Sequence, residues 1–118
     1  MKILLDHDLP KRLRLLFKGH LALTARQMSW EALSNGRLIA VAEAQQFDIL
    51  VTADKKMFGQ QSHLDRKIGL IVLSTSLMIH LEPGFPLILA AVQRSAPGGF
   101  EAVEIPESPE VRNHVESV

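Results

Sequence analysis

Four oxygen-bearing side chains stand at the ends of two short apolar runs. Lys2-Ile3-Leu4-Leu5 runs into Asp6, with Asp8 two residues on; Asp48-Ile49-Leu50-Val51 runs into Thr52, with Asp54 two residues on. In an open parallel sheet, ligands bind beyond the carboxyl ends of the strands, so Asp6, Asp8, Thr52 and Asp54 can converge. Asp48 opens the second run, roughly 13 Å from its Thr52 end, and belongs to the opposite rim. Clustered carboxylates repel one another and stay ionised beside a cation, and short oxygen ligands suit Mg²⁺ or Mn²⁺. Asp6, Asp8, Asp54 and Thr52 are therefore the candidate metal site, and the three acids are the candidate catalytic residues. Each also has a purely structural use: Asp8 as a helix N-cap, Thr52 as a loop hydrogen bond, Asp54 as the cap of the turn beginning at Lys55. Asp6 is the hardest to explain that way, because a carboxylate closing a buried strand needs a partner.

Other chemistries lack their residues. The chain has no cysteine, which removes disulfides, thiolate metal sites and thiol nucleophiles and favours a cytoplasmic address. His7, His20, His63, His80 and His114 show neither of the usual zinc spacings. Gly98-Gly99 precedes an edge strand as a turn rather than cradling phosphate, and Ser74, Thr75 and Ser76 form no nucleophile elbow. The 13 basic and 13 acidic residues cancel, which argues against nonspecific nucleic-acid binding by the whole surface. They are unevenly spread, however. Residues 1–30 hold six basic side chains against Asp6 and Asp8, whereas residues 101–118 hold five glutamates against Arg112. A local basic face remains open, beside its plainer reading as a solvated helix.

The elements follow from the same pattern. At 118 residues and 47 % apolar composition the chain suits one globular domain. No apolar run approaches the ~18–20 residues of a membrane helix, and the acids at positions 6 and 8 interrupt any leader, so neither a membrane nor export is expected. Strands are predicted near residues 2–6, 21–24, 48–52, 68–73 and 100–105, the central ones continuous and apolar as in parallel sheets. Asp8 is predicted to cap a helix with Pro10 in its first turn, ended by Gly19; Ser34 to cap a second running to about Gln46; residues 55–64 to be a short helix or irregular; and Phe85 to Gln93 a further helix with Pro86 in its first turn. Trp30 reads as a packed anchor in the stretch Gln27 to Leu33. Alternating strands and helices imply right-handed βαβ units and a three-layer α/β/α sandwich with a mainly parallel sheet. The domain is expected to span 1–105, and the Pro-bracketed, acidic 106–118 to be a flexible tail.

Two resemblances arise from these residues. Asp6-His7-Asp8 resembles the opening of haloacid-dehalogenase-type phosphatases, which implies a small phosphatase or phosphotransfer domain; Leu9-Pro10 departs from that pattern. The ordered set Ile3-Leu4-Leu5-Asp6-His7-Asp8-Leu9-Pro10, Leu33-Ser34-Asn35-Gly36-Arg37-Leu38, Asp48 to Lys55, and Phe58 to Leu64 before the strand Ile68 to Leu73, resembles the small stand-alone PIN-like proteins related to VapC-type toxin ribonucleases. It spans about residues 2–105. The resemblance implies Mg²⁺- or Mn²⁺-dependent cleavage of RNA, with Asp6 and Asp54 where the family has metal-binding acids. It also implies a small antitoxin partner and a homodimer. Lys55, Lys56 and, from the basic first helix, Arg12 are the candidate nucleic-acid contacts. His7 stands where the family has an acid, and Asn35-Gly36-Arg37 replaces an acidic D-x-E, so the alternative is a degenerate module that binds RNA or a protein without cutting.

Overall fold

A computed structural model describes residues 1–60 and 65–107. Five strands, β1 (Lys2–Leu5), β2 (Leu21–Thr24), β3 (Ile49–Thr52), β4 (Gly69–Leu73) and β5 (Phe100–Val103), form one sheet in which every neighbouring pair is parallel. Between them run α1 (Asn35–Ala44), α2 (Met78–Leu81), α3 (Phe85–Arg94) and two 3-10 helices, Lys11–Leu16 and Lys55–Gln60. The strand order is β2-β1-β3-β4-β5. The chain builds outward from β1 to β2, then returns to the other side of β1 and continues through β3 to β5. Connections therefore diverge between β1 and β3, and a crevice opens at their carboxyl ends. No helix among the described residues is long and apolar enough to cross a membrane.

The period of two along each strand divides the core in two. Ile3, Leu5, Ile49, Val51, Ile71 and Leu73 face one side, under Leu13 of the first 3-10 helix, Leu81 of α2, and Ile88, Ala91 and Val92 of α3. Leu4, Leu50, Leu70 and Val72 face the other, under Leu38, Ile39 and Ala42 of α1 and Met57 of the second 3-10 helix. Burying each such aliphatic side chain contributes about 1.5–3 kcal/mol. Both faces of β3 and β4 are covered, hence their unbroken apolar sequences. The result is the expected three-layer α/β/α sandwich. Trp30 is an anchor of the second face, edge-on to Phe47 with ring centroids 5.9 Å apart.

Several boundaries differ from expectation. The Asp8 side chain caps no helix: the first helix is a 3-10 turn that begins at Lys11, with Pro10 in the capping position and no side-chain cap bond. Asp8 is drawn instead to β3, as described below. The second helix ends at Ala44, two residues short of Gln46, because the chain must reverse at once into β3. Gln46 takes a left-handed φ of 63°, and the N–H groups of Gln46 and Phe47 donate to the carbonyls of Glu43 and Ala42, both at 2.9 Å. This is a Schellman closure built without glycine. Met78–Leu81 is a helix that the residue pattern does not announce, for it has no side-chain cap. Ser34 does cap α1, accepting from the Arg37 N–H at 3.5 Å. Pro86 sits in the first turn of α3. The second half of the predicted 55–64 segment (61–64) and most of the predicted tail (108–118) lie outside the described residues.

Candidate functional site

Asp6 leaves β1 still on the ladder, its N–H donating to the Val51 carbonyl at 2.9 Å. Its side chain is only 2 % exposed, so its carboxylate must find donors inside the protein. The fully buried Thr52 hydroxyl donates to Asp6 Oδ2 at 2.7 Å. On the other oxygen, Asp6 Oδ1 accepts from the His7 N–H at 2.8 Å and stands 3.0 Å from His7 Nδ1. A carboxylate only accepts, so this contact requires a proton on Nδ1 of the exposed His7 ring.

Asp8 meets the same centre. Its Oδ2 accepts from the Ala53 N–H at 3.1 Å, and its Oδ1 lies 3.5 Å from Thr52 Oγ1. Thr52 has one hydroxyl proton, given to Asp6, while its oxygen accepts from the Asp54 N–H at 3.0 Å. One threonine thus gathers the ends of β1 and β3. Burial, followed by repulsion from Asp6, holds the Asp8 carboxyl above its ordinary value; the bond from Ala53 and nearby His7 pull it down, and Asp54 adds a further push upward. Asp54 Oδ1 accepts from the Lys56 N–H at 2.9 Å, the turn-capping use that is the structural alternative to its metal role. Among the described residues, no group of three or more histidines or acids is gathered into a ready-made metal cage.

A cavity of about 370 Å³ opens beside this cluster. Asp6 and His7 form part of its wall, and Lys11, Arg14 and Arg26 supply three cations. None of the three makes an ion pair among the described residues. Lys11 and Arg14 come from the 3-10 helix after β1. Arg26 is presented by the turn after β2, where the Thr24 N–H donates to Gln27 Oε1 at 2.8 Å and the Gln27 N–H donates back to Thr24 Oγ1 at 3.1 Å. That reciprocal pair is a capping box in a turn, legible as Thr24-x-x-Gln27. The basic surplus of residues 1–30 signalled these cations, but not which of them would converge.

The remaining expected contacts are more dispersed. Arg12 is exposed and outside this cavity. Lys55 lines a different cavity, at the ends of β4 and β5, and Lys56 is exposed. Asn35 and Arg37 begin α1, and neither side chain bonds to Asp6, Asp8 or Asp54. Asp48 lies at the opposite rim as expected, its Oδ2 accepting from the Lys2 N–H at 2.8 Å. Comparisons of the chain with protein-family models, with curated proteins and with solved structures find no significant match.

Proposed function

We propose that this chain is a divalent-cation-assisted endoribonuclease of PIN-like type, acting at the carboxyl edge of its sheet. The observation that carries the reading is the meeting of Asp6 and Asp8 around Thr52, beside a cavity lined by three cations. Two acids on one hydroxyl, one of them with its carboxyl raised by burial and by its neighbour, form a place where a cation is stabilising. Mg²⁺ commonly takes one or two carboxylates and leaves its other positions to water and substrate phosphate. The pair therefore fits such an ion without a third acid. Asp6 and Asp8 would hold it, with Thr52 and Asp54 in support. When bound, the ion supplies an acidified water and offsets charge on the phosphodiester.

The chain's own residues do the rest. Lys11, Arg14 and Arg26 draw the phosphate backbone to the crevice, a contribution that weakens as salt rises. Thr52 and the His7 amide fix the Asp6 carboxylate, so it need not reorganise as charge develops. Cleavage without a neutralising partner would damage a cell's own RNA, so a small antitoxin belongs to the same proposal.

A second reading, an RNA-binding module without cleavage, is favoured by the lack of a three-acid group among the described residues and by Asn35 and Arg37, which stand where the resemblance leads one to expect acids. Incubation of labelled RNA with the protein in Mn²⁺, beside an Asp6→Asn/Asp54→Asn control, separates the two. Cleavage that needs Mn²⁺ and disappears in the control supports the nuclease. Intact RNA that is bound equally by both proteins transfers the case to the binding module.

A further inference from the structure

Charge is segregated along this chain, with bases in excess over residues 1–30 and glutamates over residues 101–118. Two of those glutamates have places within the described fold. Glu101 is held by Arg94 through bonds of 3.1 and 2.6 Å, and Glu104 lines a second cavity, of about 360 Å³, with Lys55 and the ring of Phe58. Glu107, Glu110 and Glu116 remain, against Arg112 alone. On the basic side, Lys11, Arg14 and Arg26 are exposed, line one cavity and make no ion pair among the described residues. β5 runs parallel to the rest of the sheet, so the chain that follows it emerges at the carboxyl edge, where that cavity lies. The exit is fixed as far as Ile105, which is buried and whose N–H donates to Ser74 Oγ at 2.8 Å. Pro106 and Glu107 are exposed. From β5 to β2 the edge crosses four inter-strand gaps, roughly 19 Å. Residues 107–118 reach up to roughly 40 Å when extended.

We propose that the acidic segment 107–118 docks on Lys11, Arg14 and Arg26 of its own chain and competes there with polyanions. A single exposed ion pair is weak. A tethered segment, however, meets its site at an effective concentration of the order of millimolar, so a few weak pairs suffice for a contact that forms and releases. Being made between exposed charges, the contact weakens as salt rises. The docking stands on charge and reach alone; its consequence for RNA rests on the reading proposed above.

The chain has no cysteine, so Ser117→Cys carries a single nitroxide near the far end of the segment. Amide NMR spectra of this full-length protein at low salt, with the nitroxide oxidised and then reduced, read the contact without any RNA. The expected result is broadening at Lys11, Arg14 and Arg26 that recovers at high salt and in Glu107→Gln/Glu110→Gln/Glu116→Gln; the same spectra check the fold of the variant. No broadening there, or broadening that persists with all three glutamates replaced, overturns the inference. So does equal broadening of an unlabelled copy mixed with a labelled one, which assigns the contact to a second molecule. Anisotropy of a labelled RNA in EDTA at low salt then reads the competition, and the triple variant should bind roughly 2- to 10-fold more tightly than wild type. Tighter binding without the label contact is long-range repulsion and overturns the docking. RNA bound by neither protein, with the label contact intact, overturns the ribonuclease reading and leaves the docking standing.

Discussion

Asp8 has two roles open to it in the sequence, and the folded chain uses the one that depends on a distant partner. An Asp two residues before a proline carries the signature of a helix cap, but the first helix starts too late and Asp8 turns to the Ala53 amide instead. That bond joins residues 45 apart in sequence, so no local pattern reveals it. The site acids at strand ends were legible, because a buried parallel strand that closes on a carboxylate is unusual in itself. The cost of the arrangement can be measured. Burial and then Asp6 raise the Asp8 carboxyl above its usual value, so the native state binds that proton before the unfolded chain does. Its contribution to stability is therefore fully present below the unfolded value and is lost as pH rises through the folded one. Without divalent cation, Asp8→Asn should melt above wild type at neutral pH, and the difference should shrink as the solution is acidified through that window. Calorimetric melts across the acid range check this. A wild type that melts higher at neutral pH would show that the Ala53 bond outweighs the repulsion.

At the scale of elements, legibility followed how local the cause was. β3 and β4 are apolar on both faces because both are covered, and Ser34 caps α1 through an amide three residues away. α2 has no cap and only four residues, so nothing in its sequence separates it from a loop. The end of α1 shows a local rule overridden by tertiary need. Gln46 adopts the left-handed conformation in which glycine is at ease, because Phe47 must enter the core and β3 must begin. Gln46→Gly should relieve that strain and stabilise the protein by about 1 kcal/mol, measured by urea unfolding with an unchanged m-value. A destabilised variant would mean that the entropy glycine adds to the unfolded chain is the larger effect. The convergence of Lys11, Arg14 and Arg26 was the least legible feature, since it needs the 3-10 helix after β1 and the turn after β2 to meet over one cavity.

The molecule as a whole places its candidate site where its topology divides. The chain leaves β1 for β2 on one side and returns to β3 on the other, and the acids that follow β1 and β3 meet in the resulting crevice, with cations on the β2 side and an aromatic ring on the β5 side. Asp48 and a separate cavity of about 400 Å³ occupy the other rim, away from the other three acids. The account rests on Asp6 and Asp8 acting together on one divalent cation. Isothermal titration of Mn²⁺ into wild type, Asp6→Asn and Asp8→Asn tests this most directly. The account predicts saturable binding at one site in wild type, weakened by roughly 10-fold or more in either variant, because each removes one of the two carboxylates that would hold the ion directly. Negligible heat in wild type, or the same isotherm in all three proteins, would contradict it.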